Sequence, residues 1–112
     1  MAQLIDTSVF IALERQQLDL DILAHLFPDE PTALAAITAS ELLAGVHYAN
    51  SENRTQKRQA FVERILALVP VISFGLSAAR VSAEFLMGLQ KAGQTIGAHD
   101  LQIAATALSH DF

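Results

Sequence analysis

Three carboxylates stand where their type and setting would allow chemistry: Asp6 within LIDTSVFI, Glu41 within TASELLAGV and Asp100 within IGAHDLQIAATAL. Each lies where an apolar, strand-like run or a glycine turn gives way to a helical pattern. In a parallel α/β domain such junctions gather at the carboxyl ends of the strands, where ligand sites form. Acids from three distant segments would then share one cleft and repel one another unless protons or a cation relieve the repulsion. A hard divalent ion with oxygen ligands is the simplest relief. The pattern points to metal-dependent hydrolysis.

Each acid also has an ordinary structural explanation. Asp6 could cap the helix that follows it, accepting from the free amides of the first turn. Glu41 fits a capping box with Thr38, three residues earlier. Asp100 falls in the first turn of its helix, where negative charge complements the dipole. Their joint occurrence argues for more, because Ser, Thr or Asn cap as readily and yet all three junctions carry acids. Asp6 and Asp100 also lie in apolar stretches without an adjacent Lys or Arg. Both are therefore expected to be desolvated and in need of a partner cation.

The elements that must position these acids follow from the hydrophobic pattern. Residues 1–5 read as a short buried strand ending at Asp6, and 8–15 as a helix. A second helix is expected over 18–27, with Leu18, Ile22, Leu23 and Leu26 on one face. Pro28 and Pro31 bracket a turn, and 33–37 is a second apolar run fit for a strand. Thr38 and Ser40 open a helix to Ala49. A charged helix from Arg54 buries Phe61, Val62, Ile65, Leu66 and Val69 until Pro70 stops it. A third strand follows over 71–74, then a helix from Ser77 with Ala78, Val81, Phe85, Leu86 and Leu89 on its apolar face. Gly93 and Gly97 punctuate the loop before a last helix over 100–108. This alternation predicts an α/β fold with a parallel sheet covered by helices.

With 112 residues, 52% hydrophobic and 17% charged, the chain forms one domain (1–112) and is not disordered. A mean hydropathy of +0.35 implies that some apolar surface faces a partner. The longest charge-free run, 65–79, is too short and too broken by Pro70 and Gly75 to cross a bilayer. The start resembles no signal peptide. The absence of cysteine excludes disulfides, thiolate metal sites and cysteine nucleophiles. A cytoplasmic location is the plain expectation. The net charge of −5 argues against a protein that coats nucleic acid through its overall field.

Taken together, Asp6-Thr7-Ser8, the SELLAGV segment around Glu41 and the pattern G-x-x-I-G-x-x-D-x-x-I-A-A-x-A-L over 93–108 resemble the PIN-domain nucleases. The likeness is to VapC- and FitB-type toxins of toxin–antitoxin pairs, and it runs from the first residues to the last helix. It implies a three-layer PIN fold and a metal-dependent endoribonuclease using Mg²⁺ or Mn²⁺. By that resemblance Asp6, Glu41 and Asp100 are the catalytic metal ligands or orient water on the metal. Ser8 and Thr7 take supporting places, against a carboxylate, a bound water or the substrate. The resemblance also implies a homodimer and a cognate antitoxin protein laid across the cleft. Family members carry a further strand after the IAATAL helix and a fourth Asp or Asn, whereas this sequence reaches only Asp111 and Phe112. Asp111 is not that acid, and the expectation is a C-terminally truncated domain with a sheet edge beside Asp6, the alternative being an edge covered by a partner.

Two other readings compete with this one. A catalytically inactive PIN-like domain would act only as a protein-binding module. A nucleotide-binding domain would need glycines after the first strand, and the chain there reads Asp6-Thr7-Ser8-Val9-Phe10. His99, beside Asp100, could contact substrate or metal, but helix neighbours point about 100° apart and a surface place is the expectation. His25, His47 and His110 lack ligand spacing and read as surface or interface residues. Arg54, Lys57, Arg58 and Arg64 form the one basic cluster, a solvated helix face by default, with RNA contact as the alternative.

Overall fold

The chain passes from strand to helix within two residues at Asp6 and directly at Ala35, and these junctions place the segments that carry Asp6 and Glu41. The computed structural model describes residues 3–26 and 31–110. Strand β1 (Gln3–Leu4) pairs in parallel with β2 (Thr32–Ala35), with Gln3 opposite Thr32 and Leu4 opposite Ala33. Strand β3 (Val71–Ile72) pairs in parallel with the other side of β2, giving the order β1-β2-β3. Flanking bonds lengthen these short ladders. The amide of Ile5 donates to Ala33 O at 2.8 Å, and that of Leu34 to Pro70 O at 2.9 Å. Among the described residues the fold is α/β, a three-stranded parallel sheet flanked by helices.

Helix α1 (Thr7–Arg15) begins immediately after Asp6 and buries Phe10 and Leu13, three residues apart on one face. It ends where Gln17 takes a left-handed φ of 54° and the Leu18 amide turns back to Leu13 O. The helix expected from Leu18 is shorter than the periodicity suggests, since α2 spans only Ile22–Leu26. Asp19 is the cause. Its carboxylate accepts from the Asp21 amide at 3.3 Å and its carbonyl from the Ile22 amide, a local turn that competes with helix. Leu20 and Leu23 reach the core all the same. Phe27 and Pro28 lie outside the described residues.

The second strand stops earlier than expected, and helix α3 (Ala36–His47) takes over two residues sooner. Alanine favours helix more than strand, which decides the ambiguous run after Ala35. As a result Thr38 sits inside the first turn, 1% exposed, and the cap is Ala35 with no side-chain bond. The capping box between Thr38 and Glu41 does not form. Helix α4 (Glu52–Leu68) starts slightly before the predicted Arg54, because Ser51 Oγ accepts from the Arg54 amide at 3.2 Å. It ends against Pro70, which has no amide to continue the ladder.

Helices α5 (Leu76–Lys91) and α6 (Ala98–Ser109) pack on each other, and α6 also meets α3 and β2. Gly93 closes α5 at φ +73°, with the Gln94 amide returning to Leu89 O. The core lies between α1, α3, α4 and the sheet, where Phe10, Leu34 and Ile65 are fully buried and Leu42, Val46 and Val62 nearly so. Each large side chain there contributes about 1.5–3 kcal/mol by leaving water. The face of α5 expected to be core is only partly so. Ala78 is buried and Val81 and Leu89 are half-buried, whereas Phe85 and Leu86 are exposed. Among the described residues no helix is long and apolar enough to cross a membrane.

Candidate active site

Parallel pairing brings the carboxyl ends of β1 and β2 side by side, and each end runs directly into a helix. Asp6 is the N-cap of α1, with extended backbone at φ −82° and ψ 154°. Its Oδ1 accepts from the Thr7 amide and its Oδ2 from Ser8 Oγ, both at 2.9 Å. One bond per oxygen fixes the carboxylate's plane and leaves lone pairs on both oxygens for a further ligand.

Glu41 stands on α3, one turn beyond its start, and is half-buried. It lines a cleft of about 230 Å³ with Thr7, Phe10, Glu14, Arg58 and Phe61. That cleft therefore joins the residue next to Asp6 with the second acid. Thr7 contributes a buried Oγ1 that has no hydrogen-bond partner among the described residues.

Asp100 lies in the first turn of α6, exposed, and makes no side-chain hydrogen bond or ion pair among the described residues. A Cβ built at Gly97 would stand 3.7 Å from Asp100 Oδ2, so the carboxylate folds back over the start of its helix. His99 links this turn to Glu41, with its Nδ1 3.7 Å from Glu41 Oε1. This contact was not foreseen. Sequence alone placed His99 at the surface, and it is exposed, but it also faces an acid on another helix. The sequence signal for this contact is the place of His99 beside Asp100, even though neighbours on a helix point about 100° apart. His25, His47 and His110 are exposed, as expected.

Two corrections follow. Asp6 and Asp100 are both exposed, so desolvation does not oblige either to hold a cation. Capping accounts for Asp6, but among the described residues neither Glu41 nor Asp100 has a capping bond. Among the described residues, no group of three or more His, Asp or Glu side chains is drawn together as a preformed metal cage. The donor set itself consists of hard carboxylate oxygens, with the partnerless Thr7 hydroxyl nearby. That chemistry fits Mg²⁺, which keeps several waters and is held through one or two carboxylates and substrate phosphates rather than by an all-protein cage.

Comparison with known proteins places this arrangement. Residues 4–112 match the family model of the PIN domain. Ribonuclease VapC1 of Rickettsia felis is 37% identical over 112 residues, which span all of this chain and 81% of that protein. The crystal structure of FitAcB from Neisseria gonorrhoeae superposes with a TM-score of 0.84 at 29% identity, covering 100% of this chain and 84% of that one. The structure of VapBC-5 from Mycobacterium tuberculosis, a member of the VapBC family of toxin–antitoxin systems, gives 0.74 at 34% identity, covering 97% and 79%. With its sheet order, Asp6 between the first strand and helix and a match that runs almost from end to end, the chain belongs to the PIN-domain family, in the group of the VapC proteins.

Proposed function

We propose that this protein is a metal-dependent endoribonuclease, the toxin of a type II toxin–antitoxin pair. The observation that carries the reading is the convergence of the three acidic segments. Thr7, next to Asp6, shares a cleft with Glu41, and Glu41 meets His99, next to Asp100. Relatives named as ribonucleases, and solved neighbours named as toxin–antitoxin complexes, support it.

Asp6, Glu41 and Asp100 would hold Mg²⁺ or Mn²⁺. A bound ion of this kind supplies Lewis acidity, activating water and neutralising charge that builds on a phosphate in flight. The chain's own contribution is placement. The Thr7 amide and Ser8 hydroxyl orient Asp6, α3 carries Glu41 to the mouth of the cleft, and the start of α6 brings Asp100. Thr7 Oγ1 is available to a phosphate oxygen or a bound water. The partners in this reading are an RNA substrate, an antitoxin protein that covers the cleft, and a second copy of the chain. The exposed Phe85, Leu86 and Met87 on α5 give that copy an apolar surface to cover. Cytoplasmic RNA is the target.

Single-stranded RNA incubated with the protein and Mn²⁺ tests the reading, with Asp6→Asn and Asp100→Asn as controls. Cleavage by the wild type that falls at least on the order of 100-fold in either variant supports it, since even outer partners of a metal site cost 10–100-fold. A folded wild type that cleaves no RNA in Mg²⁺ or Mn²⁺, while still binding an antitoxin, would instead make it a protein-binding module.

A further inference from the structure

Four of the seven Lys and Arg residues line one groove. Arg15 comes from the last turn of α1, and Arg54, Lys57 and Arg58 from the facing side of α4. A basic helix face alone is usually only solvated. Here a second helix supplies the opposite wall, and Glu14 is the one acid that lines the groove among the described residues, although acids outnumber bases twelve to seven in the chain. Arg58 is neutralised by that Glu14. Arg15, Arg54 and Lys57 are exposed and make no side-chain ion pair among the described residues. Arg64, grouped with them by sequence, turns instead to Asp19 at 3.1 Å.

The groove is continuous with the site. Glu14, Arg15, Arg58 and Phe61 line both it and the cleft that holds Thr7 and Glu41. We propose that the α1–α4 groove is the track for the phosphodiester backbone of single-stranded RNA, with Arg15, Arg54 and Lys57 leading the strand into the Glu41 cleft. The inference rests on the ribonuclease reading above. In a molecule of net charge −5, a long-range field does not draw in a polyanion. Local cations must hold the strand, and they are most useful on a path that ends at the acids. Phosphate contacts of this kind position a strand without reading its sequence.

The test is fluorescence anisotropy with a labelled single-stranded RNA, in excess EDTA so that nothing is cleaved, across a range of KCl. The triple variant Arg15→Gln/Arg54→Gln/Lys57→Gln is compared with wild type and with Arg80→Gln/Lys91→Gln, which removes charge from α5. These side chains are exposed, and thermal melts check that every variant folds. On single strands each neutralised phosphate contributes about 0.7 to the salt slope, so the triple variant is expected to lose about 2 from the slope and at least tenfold in affinity. The α5 variant should stay within twofold of wild type, and Arg15→Lys/Arg54→Lys/Lys57→Arg should keep the slope. Equal RNA binding by wild type and triple variant overturns the groove while leaving the ribonuclease reading intact. A poly-glutamate peptide that binds wild type but not the triple variant, with RNA binding unchanged in both, overturns it in favour of an acidic protein segment. A wild type that neither binds nor cleaves RNA overturns the reading beneath it, and the groove with it.

Discussion

Arg58 on α4 grips Glu14 on α1, with Nε 3.2 Å from each carboxylate oxygen and Nη2 3.0 Å from Oε1. The same guanidinium donates through Nη1 to the carbonyl of Gly45 on α3, at 3.1 Å. One side chain therefore joins the helix that Asp6 caps, the helix that carries Glu41 and the helix that closes the cleft. Planar guanidinium geometry makes this possible, and a lysine could not reproduce it. Both partners are partly buried, so each lost bond leaves a group short of water as well as of its partner.

Arg58→Met is expected to destabilise the fold by roughly 1–2 kcal/mol, because the charge-assisted bonds go while the aliphatic stem stays. Arg64→Met removes the exposed pair with Asp19 and should cost no more than about 0.5–1 kcal/mol. Urea melts of both variants check the ranking. A larger loss for Arg64→Met would refute it.

Asp6→Asn separates folding from chemistry. Asparagine caps helices about as well as aspartate, so stability should change by less than about 0.5 kcal/mol. Saturable Mn²⁺ binding, read by calorimetry, should disappear, because an amide oxygen replaces a charged ligand. Retained Mn²⁺ binding with the same affinity would remove Asp6 from the metal site.

Thr38 offers a test in the opposite direction. Its Oγ1 is buried and partnerless among the described residues. Valine has nearly the same shape and brings no hydroxyl to desolvate, so Thr38→Val should leave stability unchanged or raise it by up to about 1 kcal/mol. A loss of more than this on thermal melting would mean that the hydroxyl has a partner in solution.

Gly93→Ala should destabilise by about 1–2 kcal/mol, since alanine is strained at φ +73° even where space is open. Gly88→Ala, inside α5 with nothing within 4 Å of the added carbon, should instead stabilise by up to about 1 kcal/mol. The two melts together separate backbone strain from crowding.

Much of this molecule could be read from its residues. The three parallel strands, Pro70 as a stop and the buried face of Val62, Ile65 and Val69 all follow from apolar spacing and backbone chemistry. Two boundaries moved for local reasons that spacing does not carry. Asp19 folded its side chain onto the backbone and shortened α2, and Ala36 with Ile37 went to helix rather than strand. The acids were visible at once, but their surroundings were not. Apolar neighbours in sequence suggested burial for Asp6 and Asp100, whereas helix starts at the carboxyl ends of strands leave such side chains open to solvent. His99 against Glu41, and Arg15 opposite Arg54 and Lys57, depend on how helices dock. No pattern within a single segment could have shown them.

The position of α6 has a consequence for how the site comes into being. Its partner in the α5–α6 hairpin is nearby in sequence and can pair early, but its contact with α3 joins segments far apart, and that loop must close first. Synthesis proceeds from the N-terminus, so Asp6 and Glu41 leave the ribosome well before Asp100. A nascent chain thus carries Asp6 and Glu41 while Asp100 has yet to be added. The three acidic segments of the candidate site can come together only once α6 docks on α3.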